Sequence, residues 1–157
     1  MAEIADREQR WSNDLPGIEL GYRYADSPLT AAEDGGPDPD SFSYTPTTWP
    51  GARLPHIWLD DGTAIADHLG RCYTLLHAPG ASAAAAELSR AFAKFGAPFA
   101  TFEMRSAAAG PVYDHHDLIL VRPDLHVVWR SHGTVPDPAA LAALATGHGP
   151  FRSMEND

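Results

Sequence analysis

The chain of 157 residues has a single cysteine, Cys72, and a single lysine, Lys94. One thiol excludes an intrachain disulfide, a Cys-x-x-Cys redox pair and any zinc site that needs two or more thiolates. The lone lysine lies in an alanine-rich stretch, so no Walker phosphate loop is present. No Gly-x-Gly-x-x-Gly occurs either: Gly147 and Gly149 have the spacing of its first half but follow a helical pattern, not a strand. A Gly-x-Ser-x-Gly nucleophile elbow is also missing. Positive charge is scarce, with eleven Lys plus Arg against twenty-one Asp plus Glu and a net charge of −10. Such a surface repels nucleic acid and anionic membranes, and the few arginines form no stripe or patch. No apolar run approaches the roughly eighteen residues of a membrane-spanning helix. The N-terminal "MAEIADREQRW" is charged rather than apolar, so no secretory leader is expected and the reading is cytoplasmic.

What is present is ordinary for a globular chain: 44% apolar and 10% aromatic residues, enough for one core. Residues 1–24 read as an N-terminal helix and strand. A short polar helix is expected over 2–11, and a strand over 17–29 because Ile18, Leu20, Tyr22 and Tyr24 alternate with Glu19, Gly21 and Arg23. Residues 25–53 are rich in Pro, Gly, Asp, Ser and Thr, which predicts an acidic linker or a wrapping arm without regular structure. Tyr44 and Trp49 are the residues able to pin it to a surface.

From residue 54 the pattern becomes regular. "PHIWL" reads as a short strand, Asp61-Gly62 as a turn, and Thr63 as the cap of a short helix "AIADHL" ending at Gly70. "RCYTLLH" (71–77) reads as a strand. "SAAAAELSRAFAKF" (82–95) reads as a helix with Ser82 as N-cap and an apolar face of Ala84, Leu88, Phe92 and Phe95. "PFATFEM" (98–104) is the next strand, closing a parallel βαβ unit. Residues 105–116 read as a loop. "DLILVRP" and "HVVWRS" form a hairpin about Pro123-Asp124-Leu125, and "PDPAALAALATG" (136–147) is a helix with Asp137 as N-cap, Pro138 at N1 and Gly147 at its end. Residues 148–157 read as a tail. The order β-α-β, then β-β-α, with both helices on a mixed sheet, is an α/β thioredoxin-like arrangement spanning residues 54–147 and preceded by the Pro/Asp-rich arm.

Two sets of residues invite chemistry. Cys72 is predicted to lie within a strand, away from any helix N-terminus, where an inert buried thiol is expected. Four of the eight histidines crowd into residues 112–133. His115 and His116 are adjacent and would point to opposite faces of a strand, whereas Asp114 and His116 share a face and His126 and His132 lie on the neighbouring arm. A metal-assisted enzyme or small-molecule binder using His115, His116, His126 and His132 is the alternative this pattern leaves open. The bland reading is a polar loop feeding an apolar strand.

The segments "LGYRY", "PGARLPHIWLDDGTAIADHLGRCYTLL" and "LILVRPDLHVVWRS", in that order, resemble the C-terminal portion of FAD-dependent aromatic-ring hydroxylases, the phenol-hydroxylase-like flavoprotein monooxygenases. The resemblance runs from about Gly17 to Gly147. It implies a thioredoxin-like third domain without redox cysteines, packed on the flavoprotein or at subunit interfaces. It also implies that FAD and NAD(P)H are bound by other domains of the parent enzyme, with residues 2–11 a remnant of the preceding substrate domain. No catalytic, cofactor-binding or metal residue of the family maps onto this chain. Its expected partners are a flavoprotein domain or subunit, or a second copy of itself. An exposed apolar patch of Leu20, Tyr22, Tyr24 and Trp49 would serve such docking. Arg122 and Arg130 are expected in surface or interdomain ion pairs or as solvated charges, and Trp129 in the core. Leu125 stands where the family pattern often has glycine, which makes a glycine-dependent turn unavailable and predicts a different loop geometry.

Overall fold

The computed structural model describes residues 15–149 apart from Pro39. The helix expected over 2–11 and most of the tail lie outside them.

Pro16 stands at the first helical position, where its missing N–H costs nothing, and a single helical turn forms, α1 (Pro16–Glu19). The strand expected over 17–29 is replaced by this turn and by one isolated bridge, Arg23 to Ala52. The period-two pattern there had no partner strand to satisfy it. Two pieces of the chain that follows lie beside the last sheet strand and the turn before it: Ala31 N–H donates to Val128 O (2.8 Å), Gly51 N–H to Val127 O (2.8 Å) and Leu54 N–H to Leu125 O (2.8 Å). Thr30, Thr48 and Ala52 are buried by this contact.

The Asp61-Gly62 turn forms, and the Asp61 carboxylate accepts from both the N–H and the hydroxyl of Thr63. Thr63 is not a helix cap: the element that follows is a 3-10 turn, Ile65–His68, whose N-cap position is Ala64. "PHIWL" contributes only a bridge from Trp58 to Ala64. β1 (Tyr73–His77), α2 (Ser82–Ala93) and β2 (Phe99–Glu103) follow as expected, with β1 and β2 parallel. Ala81, not Ser82, occupies the cap of α2. The 105–116 segment contains a short helix, α3 (Ala109–Val112). β3 (Leu118–Val121) and β4 (Val127–Ser131) make the hairpin, and α4 (Pro138–Ala145) is capped by Asp137, whose carboxylate accepts from Ala140 N–H at 2.9 Å. The sheet order is β2-β1-β3-β4, with β1–β3 and β3–β4 antiparallel.

Both sheet faces are covered, which is why "LILV" is apolar at every position rather than at alternate ones. Leu75, Leu118, Leu120 and Val128 pack with Leu88 and Phe92 of α2 and Leu141 of α4. Leu76, Ile119, Val121 and Val127 point the other way, onto Ile57, Ile65 and Tyr113. The mixed α/β sheet with both helices on it is thus realised.

The hairpin departs from expectation. Leu125 N–H donates to Arg122 O (2.9 Å) and Arg122 N–H to His126 O (2.8 Å), a three-residue loop that ends in a left-handed residue. That residue is Leu125 at φ 67°, so the left-handed position is retained without glycine. The conformation costs an L-residue about 1–2 kcal/mol, partly offset by the lower unfolded-state entropy of leucine relative to glycine. Leu125→Gly should therefore raise stability by about 0.5–1 kcal/mol in urea unfolding. A loss of stability would show that packing of the half-buried leucine outweighs the backbone strain.

Candidate functional site

The N-terminal part of the described chain gathers four of its six exposed large hydrophobic residues. Ile18 is 52% exposed, Leu20 45%, Tyr22 56% and Tyr24 43%, with Phe42 close by in the arm at 52%. The backbone beneath is tightly held. Gly17 is buried, and a Cβ there would lie 1.6 Å from the Asp40 carbonyl oxygen, so only glycine lets the arm cross α1. Tyr24 N–H donates to Gly51 O at 3.0 Å, and its ring meets His126 edge-on at 4.9 Å and Tyr22 at 4.8 Å. Three of the four residues expected in the patch are there. Trp49 is not: it is half-buried beneath a guanidinium, and its indole N–H donates to Glu33 O at 3.3 Å.

That guanidinium is Arg130, which is buried rather than on the surface. Its Nη2 donates to Glu33 Oε1 (2.7 Å), and its Nη1 to Asp114 Oδ2 (2.9 Å) and the buried Thr48 hydroxyl (3.0 Å). Its carbon lies 4.0 Å from the Trp49 ring centroid. Arg130 thus joins β4, the arm and the loop after α3 within this chain. No sequence signal pointed to Glu33, which is 97 residues away. Arg122 does pair at the surface, with Asp124 of its own turn. Trp129 is half-buried against the helix-side core.

The histidines do not assemble as one cluster. His116 and His132 stack at 4.3 Å with 17° between their rings. His126 is at the opposite end of β4 from His132, about 20 Å along the strand, and is engaged with Tyr24 and the Asp124 carbonyl. His115 lies over Gly110. Its backbone and that of Asp114 are left-handed, at φ 55° and 52°, which turns the loop away from the geometry a continuous strand would have produced. Among the described residues, no three His, Cys, Asp or Glu side chains converge as a metal site would require. Cys72 is half-buried and immediately precedes β1 rather than lying within it.

Tyr113, which sequence reasoning passed over as loop, is fully buried and donates its hydroxyl to Pro55 O at 3.0 Å. Burial raises its phenol pKa, so it remains a donor. His116 is shifted the other way. Burial lowers its pKa below 6.5, opposed by its ring hydrogen bond to the Tyr113 carbonyl and reinforced by Arg130 and His132. The unfolded chain therefore binds a proton at His116 more readily than the folded one. Stability contributed here is complete well above pH 6.5 and declines as pH falls through that value. His116→Gln should flatten this part of the stability–pH curve between roughly pH 5 and 7; an unchanged slope would exclude His116 as its source.

Comparisons with known proteins agree on one affiliation. The family model described as aromatic-ring hydroxylase, C-terminal, matches residues 47–149. The FAD-dependent monooxygenase apdD of Emericella nidulans is 35% identical over 148 residues, covering 87% of this chain and 23% of that protein. The FAD-dependent monooxygenase opdD of Penicillium oxalicum is 30% identical over 142 residues, covering 87% and 27%. Among solved structures, the rebeccamycin biosynthetic enzyme RebC with reduced flavin aligns at TM-score 0.76 and 30% identity, over 94% of this chain and 27% of that one. The chain thus spans about a quarter of the length of the relatives it matches. No helix among the described residues is long and apolar enough to cross a membrane.

Proposed function

This chain belongs to the aromatic-ring hydroxylase C-terminal family, and from that premise we propose that it is a non-catalytic accessory domain of an FAD-dependent aromatic hydroxylase. It docks on the flavoprotein part, or joins subunits, through the face of Ile18, Leu20, Tyr22 and Tyr24. The observation that carries this reading is that four large apolar side chains, each 43% or more exposed, are gathered in the seven residues from Ile18 to Tyr24 of an otherwise acidic chain. A second observation concerns the flavin. A dinucleotide pyrophosphate is held by successive backbone N–H groups in a glycine-rich turn between a strand and a helix. The turn between β1 and α2 here is Ala78-Pro79-Gly80-Ala81, with one glycine and a proline that has no N–H. It does not fit FAD, so we assign FAD and NAD(P)H to the rest of the parent enzyme.

Antibody capture of this domain from source cells, followed by denaturation and flavin fluorescence, tests the reading. FAD should be released in amounts equal to the captured domain; domain captured free of flavin would overturn it. Leu20→Asp with Tyr22→Asp, both at exposed positions, should weaken association of the domain with its partner at least about tenfold while moving its own stability by about 0.5 kcal/mol or less. Undiminished association of that variant, measured by sedimentation, would rule out this face.

A further inference from the structure

Among the described residues, α1, the chain that follows it and the arm border a hollow of about 390 Å³ that is partly open to solvent. This is within the roughly 300–1,000 Å³ range of small-molecule sites, which combine apolar walls with a few placed polar groups. Ile18, Leu20, Tyr22 and Tyr44 supply apolar and aromatic wall, and Arg23 and Arg53 also line it. Two of the chain's eleven basic residues therefore meet in one hollow of a protein with net charge −10.

The two arginines are in different situations. Arg23 donates from Nη1 to Gly35 O at 3.3 Å and helps hold the arm. Arg53 is exposed, and among the described residues no carboxylate pairs with its guanidinium. Its charge is felt by Tyr44: burial raises the pKa of that phenol, and Arg53 opposes the rise. Two carboxylates also line the cavity. Asp40 is occupied by its own turn, accepting from Phe42 N–H (2.8 Å) and the Ser43 hydroxyl (2.6 Å), which leaves Asp38 as the opposing charge. The hollow thus places two aromatic side chains, Tyr22 and Tyr44, beside an arginine that no carboxylate pairs with among the described residues. A planar ring stacks on such walls, and a carboxylate accepts two parallel hydrogen bonds from such a fork.

We infer that this cavity is a binding site for a small aromatic carboxylate, with the ring between Tyr22 and Tyr44 and the carboxylate on Arg53. The inference goes beyond the docking role and does not rest on it.

The test is amide NMR of the isotope-labelled full chain titrated with salicylate, salicylamide and acetate. Salicylate should produce saturable shifts centred on Tyr22, Tyr44 and Arg53. Salicylamide, which keeps the ring but loses the charge, and acetate, which keeps the charge but loses the ring, should each bind at least about tenfold more weakly. Arg53→Gln should weaken salicylate by a similar factor with the spectrum otherwise preserved. Absence of saturable shifts, equal binding of salicylamide, or shifts centred elsewhere would overturn the site. None of those results bears on whether the domain is captured with FAD, so the two proposals fail separately.

Discussion

Replacing Arg130 by methionine should lower the stability of the chain by about 3 kcal/mol, measured by urea unfolding. Methionine keeps most of the stem but removes five donors. Glu33 and Asp114 lose their cation, the buried Thr48 hydroxyl loses its nitrogen partner, and the Trp49 face loses its guanidinium. Breaking a buried pair costs about 3–5 kcal/mol when one charge is stranded. Here the stranded carboxylates are partly hydrated, with side-chain exposures of 33% and 52%, which places the loss at the lower end. Arg130→Lys should recover less than half of it, because one ammonium cannot reach both carboxylates and stack on the indole. The damage should also be local at first. Amide exchange should accelerate at Ala31 and Gly51, which bond to β4, before it does in β1 and β3. A loss of about 1 kcal/mol or less would mean that the cluster behaves as an ordinary surface pair.

Phe92→Ala should cost about 3–5 kcal/mol and lower the melting temperature by roughly 10 °C. The ring is completely buried, 4.7 Å from Phe99 and 5.1 Å from Tyr73. It joins α2 to both parallel strands, and backbone helices relax too little to refill its volume. Unlike the Arg130 change, this one should weaken protection across the sheet and leave the arm contacts no more affected than the rest. Phe92→Leu should restore roughly half of the loss, since most of the volume returns. A cost of about 1 kcal/mol would show that the core collapses around the site.

The elements that were legible in the sequence share a property: each is specified by residues close together. α2 follows from an alanine-rich run with Leu88 and Phe92 at helical spacing. α4 follows from Asp137 and Pro138 at its start. The hairpin follows from "LILV" and "VVW" on either side of Pro123-Asp124. The misread elements lack local partners. The alternation from Ile18 to Tyr24 is real, but alternation makes a strand only when another strand lies alongside, and only Ala52 does. Leu125 predicts a loop geometry other than the glycine-dependent turn, yet it adopts the left-handed position itself. Two strands already paired through β3 and β4 hold it there, because the ladder's hydrogen bonds outweigh about 1–2 kcal/mol of strain.

The sequence by itself determined the α/β order, the parallel and antiparallel strand pattern, the acidic arm, the missing dinucleotide fingerprints and the family resemblance. All of these are written in neighbouring residues or in composition. The tertiary structure alone decided which distant residues meet. It buried Arg130 among Glu33, Thr48 and Asp114, separated His126 from His116 and His132, and brought Tyr22, Tyr44 and Arg53 to one open hollow. Charge, periodicity and capping act over a few residues of chain, whereas these contacts close loops of up to 97 residues and form only once the sheet has set the distances between them.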